Sequence, residues 1–462
     1  MKINHTSFFY IINLLSWLLV LVIPIEHALM VIVLIFAFSG WAFGVWPQSI
    51  ISLGILLYLE ILGIFTFEEG LQGYAQPFVW LLVATFVIAA GFEETGLGRR
   101  IALAILSLVK GNGAASIGVV ILSLTVLGLL IPTGAGRIAM ILPVCIGLIE
   151  VVKASGGGSS YAKSVLIAVT FTSSFMSFAI ITGSSSSVYA ASTIQLTTGF
   201  FWSYGYWLIV NGPIAILMLL ILWGVLLWKF PLEKASWSDG RAYIALKLEE
   251  MGTISPKEMK LFLLSIIMLT GWITEPLHGY SVSMTAMLVA LLSCLPVVGV
   301  QKWKRASKSI NWDVIILFGA AYALAEAIQT NGTADWVAAG LVQFIPQNSP
   351  ILTALVMIII VSIFRFGFAN MLGITAVFLP FSISLAQSLS INPVWLAQIV
   401  VISCSIGYFL PSQSPANLMT FALGQYTRKD LSSVGMYLFL AIIPITLLLA
   451  YFYWPLIGLN PN

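Results

Sequence analysis

The stretch Gly128-Leu-Leu-Ile-Pro-Thr-Gly-Ala-Gly-Arg-Ile-Ala-Met-Ile-Leu-Pro143 places a helix-breaking cluster and a charge inside a hydrophobic run. The apolar run around it, 114–152, is about twice the ~20 residues that one transmembrane helix needs. It reads as two helical arms meeting at Pro132-Thr-Gly-Ala-Gly136. Within lipid every backbone N–H and C=O needs a partner, so an unwound turn at that depth persists only where protein or a water-filled cavity surrounds it. Helix ends aimed into such a cavity form an ion or anion site.

A second copy lies downstream. Phe366-Gly-Phe-Ala-Asn-Met-Leu-Gly-Ile-Thr-Ala-Val-Phe-Leu-Pro380 repeats the pattern, with Ala139, Leu142 and Pro143 in register with Ala376, Leu379 and Pro380. Upstream, Glu94-Thr-Gly96 aligns with Thr330-Asn-Gly332. Each copy is followed by a further interrupted apolar segment, Thr182-Gly-Ser-Ser-Ser-Ser187 in the first and Pro411-Ser-Gln-Ser-Pro-Ala-Asn417 in the second. Interruptions paired between two halves point to the binding site of a transporter. A solenoid would need shorter periods and more copies.

Composition sets the class: 60% of the 462 residues are hydrophobic and 8% charged, and the mean hydropathy is +1.04, which defines an integral membrane protein. Cys145, Cys294 and Cys404 stand alone in apolar segments, without metal-ligand or disulfide spacing, and read as packing residues. A polytopic membrane enzyme would show clustered His, Asp or Glu. Here His5, His27 and His278 are scattered and the apolar segments hold no acidic cluster, so no enzymatic activity is expected. A channel is disfavoured because paired broken helices imply alternating access and no oligomeric pore motif is present.

In chain order, spans are expected at 8–25, 29–46, 50–67 and 76–92, followed by an amphipathic interfacial piece at 99–110, the first hairpin, a broken span at 161–192 and a span at 206–228. The first span is read as a retained helix, because no clean cleavage site follows it. A polar linker at 229–260 divides the halves. Spans at 261–274, 281–300 and 314–329, a short amphipathic piece at 334–344, a second hairpin at 351–389, a broken span at 394–424 and a last span at 434–454 repeat the order. The expected domains are an extra N-terminal helix (1–27), a first repeat (28–228), a cytoplasmic linker (229–260) and a second repeat (261–462). The fold class is thus an all-α polytopic membrane protein of about 11 transmembrane helices plus two re-entrant hairpins. Five spans per repeat is an odd number, so the second repeat is inverted. With the N-terminus in the cytoplasm and the C-terminus outside, all but two of the 20 Lys and Arg fall inside. These include Lys2, Lys110 and Lys234; the exceptions are Arg137 and Arg365. Two hairpins made of ordinary spanning helices would preserve the same segregation.

The residues resemble the divalent anion:sodium symporters, which carry sulfate or dicarboxylates and belong to a wider ion-transporter superfamily. The resemblance covers nearly the whole chain and is most specific at Trp272-Ile-Thr-Glu-Pro-Leu-His278, Trp312-Asp-Val-Ile-Ile-Leu-Phe-Gly319 and Leu410-Pro-Ser-Gln-Ser-Pro-Ala-Asn-Leu-Met419. It implies two hairpin tips with Ser-Asn-Thr and two unwound helices with Thr/Ser-Pro-Pro-Asn, which hold sodium and the substrate. The tips fall on Thr133-Gly134-Ala135 and Asn370-Met371-Leu372, and the unwound segments on Ser184–Ser187, preceded by Gly183, and Ser414-Pro415-Ala416-Asn417. Only the last match is close. The implied substrate residues are Thr133, Gly134, Arg137, Ser184, Ser185, Asn370, Ser414, Pro415 and Asn417; the implied sodium (Na+) residues are Thr133, Gly134, Gly183, Asn370, Gln413 and Ser414. The resemblance also implies an elevator-like motion, a homodimer and a bacterial-type plasma membrane. Partners are then the lipid bilayer and a small anionic substrate, with no nucleic acid. A proton-coupled antiporter of the same superfamily is the rival reading.

Physical chemistry gives these positions roles of their own. A hard cation needs convergent oxygens, which Thr133, Ser184–Ser187, Ser414 and Asn417 offer; an oxyanion needs N–H and O–H donors and positive charge. Ser and Gly at close helix contacts are also common packing residues in membranes. An arginine at membrane depth faces a cavity or a partner, or snorkels to the interface, and Arg137 and Arg365 are open to each reading. Glu60 and Glu326 are expected as buried acids that pair with the arginines, carry a proton or make structural hydrogen bonds. Because Gly134 and Met371 stand where the tip asparagines are expected, at least one sodium site is expected to be weak or absent, with Arg137 contacting the anion as a fixed cation.

Overall fold

The structure is a computed structural model that describes residues 5–109, 112–131, 133–156, 158–232, 238–343, 349–368 and 370–462. Lys2, Lys110, Pro132, Lys234 and Phe344 of the sequence reading lie outside the described residues. Among those described, every regular element is a helix. Among the described residues nine helices are long and apolar enough to cross a membrane, and six shorter apolar helices accompany them. The protein is an all-α polytopic membrane protein.

Local chemistry sets where several expected spans end. The first stops early, because helix His5–Ser16 tightens into the turn Trp17–Leu21 and a new helix, Ile25–Phe43, starts after Pro24. The expected 50–67 span is likewise two elements: Gln48–Ile61 ends, and Thr66 opens Phe67–Ala75 with a capping box. The Glu69 carboxylate accepts from the Thr66 N–H at 2.8 Å, and the Glu69 N–H donates to Thr66 Oγ1 at 3.2 Å, so two donors left over at a helix start are satisfied reciprocally.

The helices pack as two groups. One contains Ile25–Phe43, Gln48–Ile61, Pro77–Thr95, Pro256–Ile273, Val282–Cys294 and Trp312–Thr330. The other contains two hairpins, two broken helices and two long flanking helices. The hairpins are Gly113–Leu130 with Gly134–Ala154, and Pro350–Phe364 with Met371–Ser388; the broken helices are Ser159–Ala179 with Ser185–Thr198, and Pro393–Cys404 with Pro415–Phe421. Tyr204–Lys229 and Arg428–Leu448 flank them. The groups meet along a seam where Met371–Ser388 touches Trp312–Thr330, and Ser185–Thr198 touches Pro77–Thr95. Ser159–Ala179 is 94% buried over its apolar window despite its many hydroxyls. Three of them return to their own helix, Thr170 Oγ1 to Leu166 O and Ser177 Oγ to Ser173 O at 2.8 Å and Ser174 Oγ to Thr170 O at 3.3 Å, which helps a hydroxylated face to be buried.

From 238 to 260 the linker is mostly helical despite its polarity. The helix Ser238–Glu250 packs on the second arm of the first hairpin. Tyr243 fills the notch left by Gly147, where any Cβ would collide with the phenol ring. Ser155 Oγ donates to Asp239 at 2.5 Å, and Arg100 binds Glu258 at 2.6 Å and the carbonyls of Met251 and Gly252.

Candidate substrate site

Four helix N-termini converge on one cavity of about 470 Å³, and their N-cap residues Thr133, Ser184, Asn370 and Ser414 line it. Each cap side chain accepts a hydrogen bond from its own first turn: Thr133 from Gly136, Ser184 from Ser187, Asn370 from Leu372 and Ser414 from Asn417. The two tips share one backbone geometry, Thr133 at φ −118, ψ 130 and Asn370 at φ −122, ψ 132. The two breaks share another, Ser184 at φ −157, ψ 158 and Ser414 at φ −153, ψ 154. Both are extended conformations that open a helix whose first-turn N–H groups, apart from the one bonded to the cap, have no intrahelical partner; Pro415 has no N–H to offer. At the three longer helices the aligned peptide dipoles place roughly half a positive charge at the start, whereas Pro415–Phe421, with seven residues and a proline at its first position, adds less.

Of the residues expected at the site, Thr133, Gly134, Gly183, Ser184, Ser185, Asn370, Ser414 and Pro415 stand together in this wall. Gly183 has to be glycine, because a Cβ there would press on the backbone carbonyl of Met176. The sequence reading missed Ser173, Ser174 and Ser177 on the preceding helix, Ser412 beside the second break, and Gln48, Thr85 and Asn311 across the seam. The serine-rich turn just before the Thr182 break was a usable signal for the first three. Asn370 Nδ2 donates across the seam to Gln48 Oε1 at 2.9 Å. Among the described residues the wall contains no titratable side chain.

Behind the wall stand Arg137, Arg365, Gln413 and Asn417, which are 0%, 1%, 1% and 0% exposed. That excludes snorkelling for both arginines. Arg137 donates through Nη1 to Ile131 O and through Nη2 to Gly183 O, both at 3.2 Å. Arg365 donates through Nη1 to Phe368 O, through Nη2 to Gln413 O and through Nε to Cys404 O, the last at 2.9 Å. Gln413 and Asn417 brace the second break: Gln413 Oε1 accepts from the Phe409 and Leu410 N–H groups, and Asn417 Nδ2 donates to Gly407 O and Leu410 O.

The two acids are placed otherwise than expected. Glu60 and Glu326 are both exposed, and among the described residues neither pairs with either arginine. Glu60 lies in the last turn of a helix that stops at Ile61 instead of continuing to 67. Glu326 lines a second cavity of about 320 Å³ on the same seam, with Gln72, Gln76, Thr193, Thr197 and Tyr322. Among the described residues no group of His, Cys, Asp and Glu could hold a metal ion.

A polytopic helical membrane protein whose broken helices point their N-termini into one hydroxyl-lined cavity defines a class, the secondary transporter for a small anion. Comparison with known proteins agrees and narrows it. Residues 3–460 match the family described as the sodium:sulfate symporter transmembrane region, and the chain belongs to that family. It is 24% identical over 447 residues to a sodium-dependent dicarboxylate transporter, SdcS, of Staphylococcus saprophyticus, covering 90% of this chain and 84% of the relative. It is 24% identical over 429 residues to a transporter of Haemophilus influenzae, covering 90% and 89% of the two chains. Among solved structures, the YdaH transporter of Alcanivorax borkumensis shares the fold, with a TM-score of 0.57 at 13% identity over 88% of this chain and 90% of that one. The protein is a transporter, not an enzyme.

Proposed function

We propose that the cavity binds a small, doubly charged oxyanion, a dicarboxylate or sulfate, and that the chain carries it across a bacterial plasma membrane by elevator-type alternating access. The observation that carries this reading is the convergence of four N-caps on a cavity with a neutral, hydroxyl-rich wall. Such a wall offers N–H and O–H donors and partial positive charge, and sets no carboxylate against an anion. Dicarboxylate transport in the SdcS relative supports the substrate class. In this reading the two helix series are inverted repeats and the hairpins are re-entrant. The N-terminus is cytoplasmic, the C-terminus is outside, and two copies assemble as a homodimer. Sodium is the coupling ion to test first, given the family and the relative.

Purified protein in liposomes loaded with unlabelled succinate or sulfate should take up the labelled anion by exchange. No exchange of any dicarboxylate, sulfate or related anion under any ion gradient would sink the reading. The proton-coupled antiporter is favoured by one observation, the exposed Glu326 in the second cavity. That alternative predicts proton flux that stops in Glu326→Gln.

A further inference from the structure

Both arginines reach the same pair of backbone oxygens in the two halves of the molecule, although they come from different places in the sequence. Ile131 and Phe368 each precede a tip N-cap, Thr133 or Asn370, by two residues. Gly183 and Gln413 each precede a break N-cap, Ser184 or Ser414, by one. Arg137 bridges Ile131 O to Gly183 O, and Arg365 bridges Phe368 O to Gln413 O. Yet Arg137 lies on the arm after its tip and Arg365 at the end of the arm before its tip. A pair of side chains inherited by simple duplication would occupy one register. Here the same position between tip and break is filled twice, from opposite arms, by a positive charge.

Among the described residues neither charge is neutralised by a side chain. The oxygens that receive the hydrogen bonds are all backbone carbonyls, and among the described residues no carboxylate forms an ion pair with either guanidinium. A fully buried charge is costly unless a counter-charge is present for part of its life. The cavity is the neighbour that can supply one. A Cβ on Gly134, itself part of the cavity wall, would lie 3.6 Å from Arg137 Nη2, and Gln413, whose carbonyl Arg365 holds, is flanked by the wall residues Ser412 and Ser414.

We infer that Arg137 and Arg365 are resident cations of the carrier, one beside each hairpin tip, that they are the counter-ions of a doubly charged substrate, and that transport needs no sodium. This rests on the anion-transport reading above and deepens it. A sodium ion drawn to the tip and break carbonyls would meet oxygens already bonded to a guanidinium. It would also lie about 4 Å from a fixed positive charge, a repulsion that weakens binding on the order of a thousandfold at the effective dielectric of a protein. Two fixed charges balance one dianion, so the loaded site is close to neutral without a co-ion.

The test uses the full chain in liposomes loaded with succinate, with exchange of labelled succinate measured in sodium, potassium and choline chloride. The expected result is an exchange rate in choline within about twofold of that in sodium. Steep dependence on sodium overturns the inference and leaves the anion reading standing, whereas absence of exchange in every salt defeats both. The second measurement is thermal stabilisation of detergent-purified protein by succinate and by butyrate, its analogue with one carboxylate. Wild type should prefer succinate; Arg137→Gln and Arg365→Gln should each weaken succinate binding about tenfold or more and narrow its lead over butyrate, and Arg137→Lys should keep most of that lead. Variants that remain folded and bind succinate as wild type does would show the arginines to be struts only, which also overturns the inference.

Discussion

Asn370 uses both ends of its amide. Its Oδ1 caps the helix Met371–Ser388 by accepting from Leu372 N–H at 2.8 Å, and its Nδ2 reaches Gln48 of the other helix group at 2.9 Å. The two roles separate in mutants. Gln48→Ala removes only the contact across the seam, whereas Asn370→Ala also removes the cap, a further loss of about 1 kcal/mol. Thermal unfolding in detergent should therefore rank wild type above Gln48→Ala and Gln48→Ala above Asn370→Ala; equal stability of the two variants would mean that the cap contributes nothing. Gly183→Ala forces a methyl group onto the Met176 carbonyl at the break, and anion exchange in liposomes should fall at least about tenfold with the protein still inserted. At this scale the sequence marked out unusual residues more readily than it showed what they touch. Arg137 and Arg365 stood out because charge is rare in an apolar run. Their partners are carbonyl oxygens, which every residue carries, so no side chain marked Ile131 or Gly183 as acceptors.

Helices were legible where they break and less so where they merely end. Pro, Gly and Ser runs gave both tips and both breaks, because unwinding a membrane helix needs those residues and leaves backbone groups that only a cavity or protein can satisfy. The boundary at Ile61 was harder, since the apolar run passes it; the Thr66-Phe-Glu-Glu69 capping box was the available sign. The helix Ser238–Glu250 has no apolar stripe to announce it, and it is held by contacts with another element. The chemistry at the four helix starts leads to a pH prediction. The cavity wall has no titratable side chain among the described residues, and peptide dipoles do not titrate. Exchange of sulfate, which stays doubly charged, should accordingly be flat between about pH 6 and pH 8, the range in which a histidine in the wall would titrate. A sigmoidal rise or fall across that range would place an ionisable group in the transport step and favour the Glu326 alternative.

At the scale of the whole molecule, two cavities found among the described residues lie along one seam. On the helix Trp312–Thr330, Val314 lines the first cavity and Tyr322 the second; on the opposing face, Ser185 lines the first and Thr193 the second. Eight residues of α-helix span about 12 Å, so a slide of that size along Trp312–Thr330 would bring Ser185 from Val314 to Tyr322. The N-caps, hairpin tips and arginines all belong to the group that would move, and the walls they face belong to the other, so the anion and its charges would travel together. Paired cysteines distinguish this motion from a local gate. In a background with Cys145, Cys294 and Cys404 replaced, Ser185→Cys with Val314→Cys should cross-link with mercury in resting protein. Ser185→Cys with Tyr322→Cys should cross-link only when substrate drives turnover, and each bridge should stop exchange until it is reduced. If exchange proceeds while the Ser185–Val314 bridge is closed, the two groups do not slide past one another, and access must instead be controlled by the hairpins opening over a stationary site.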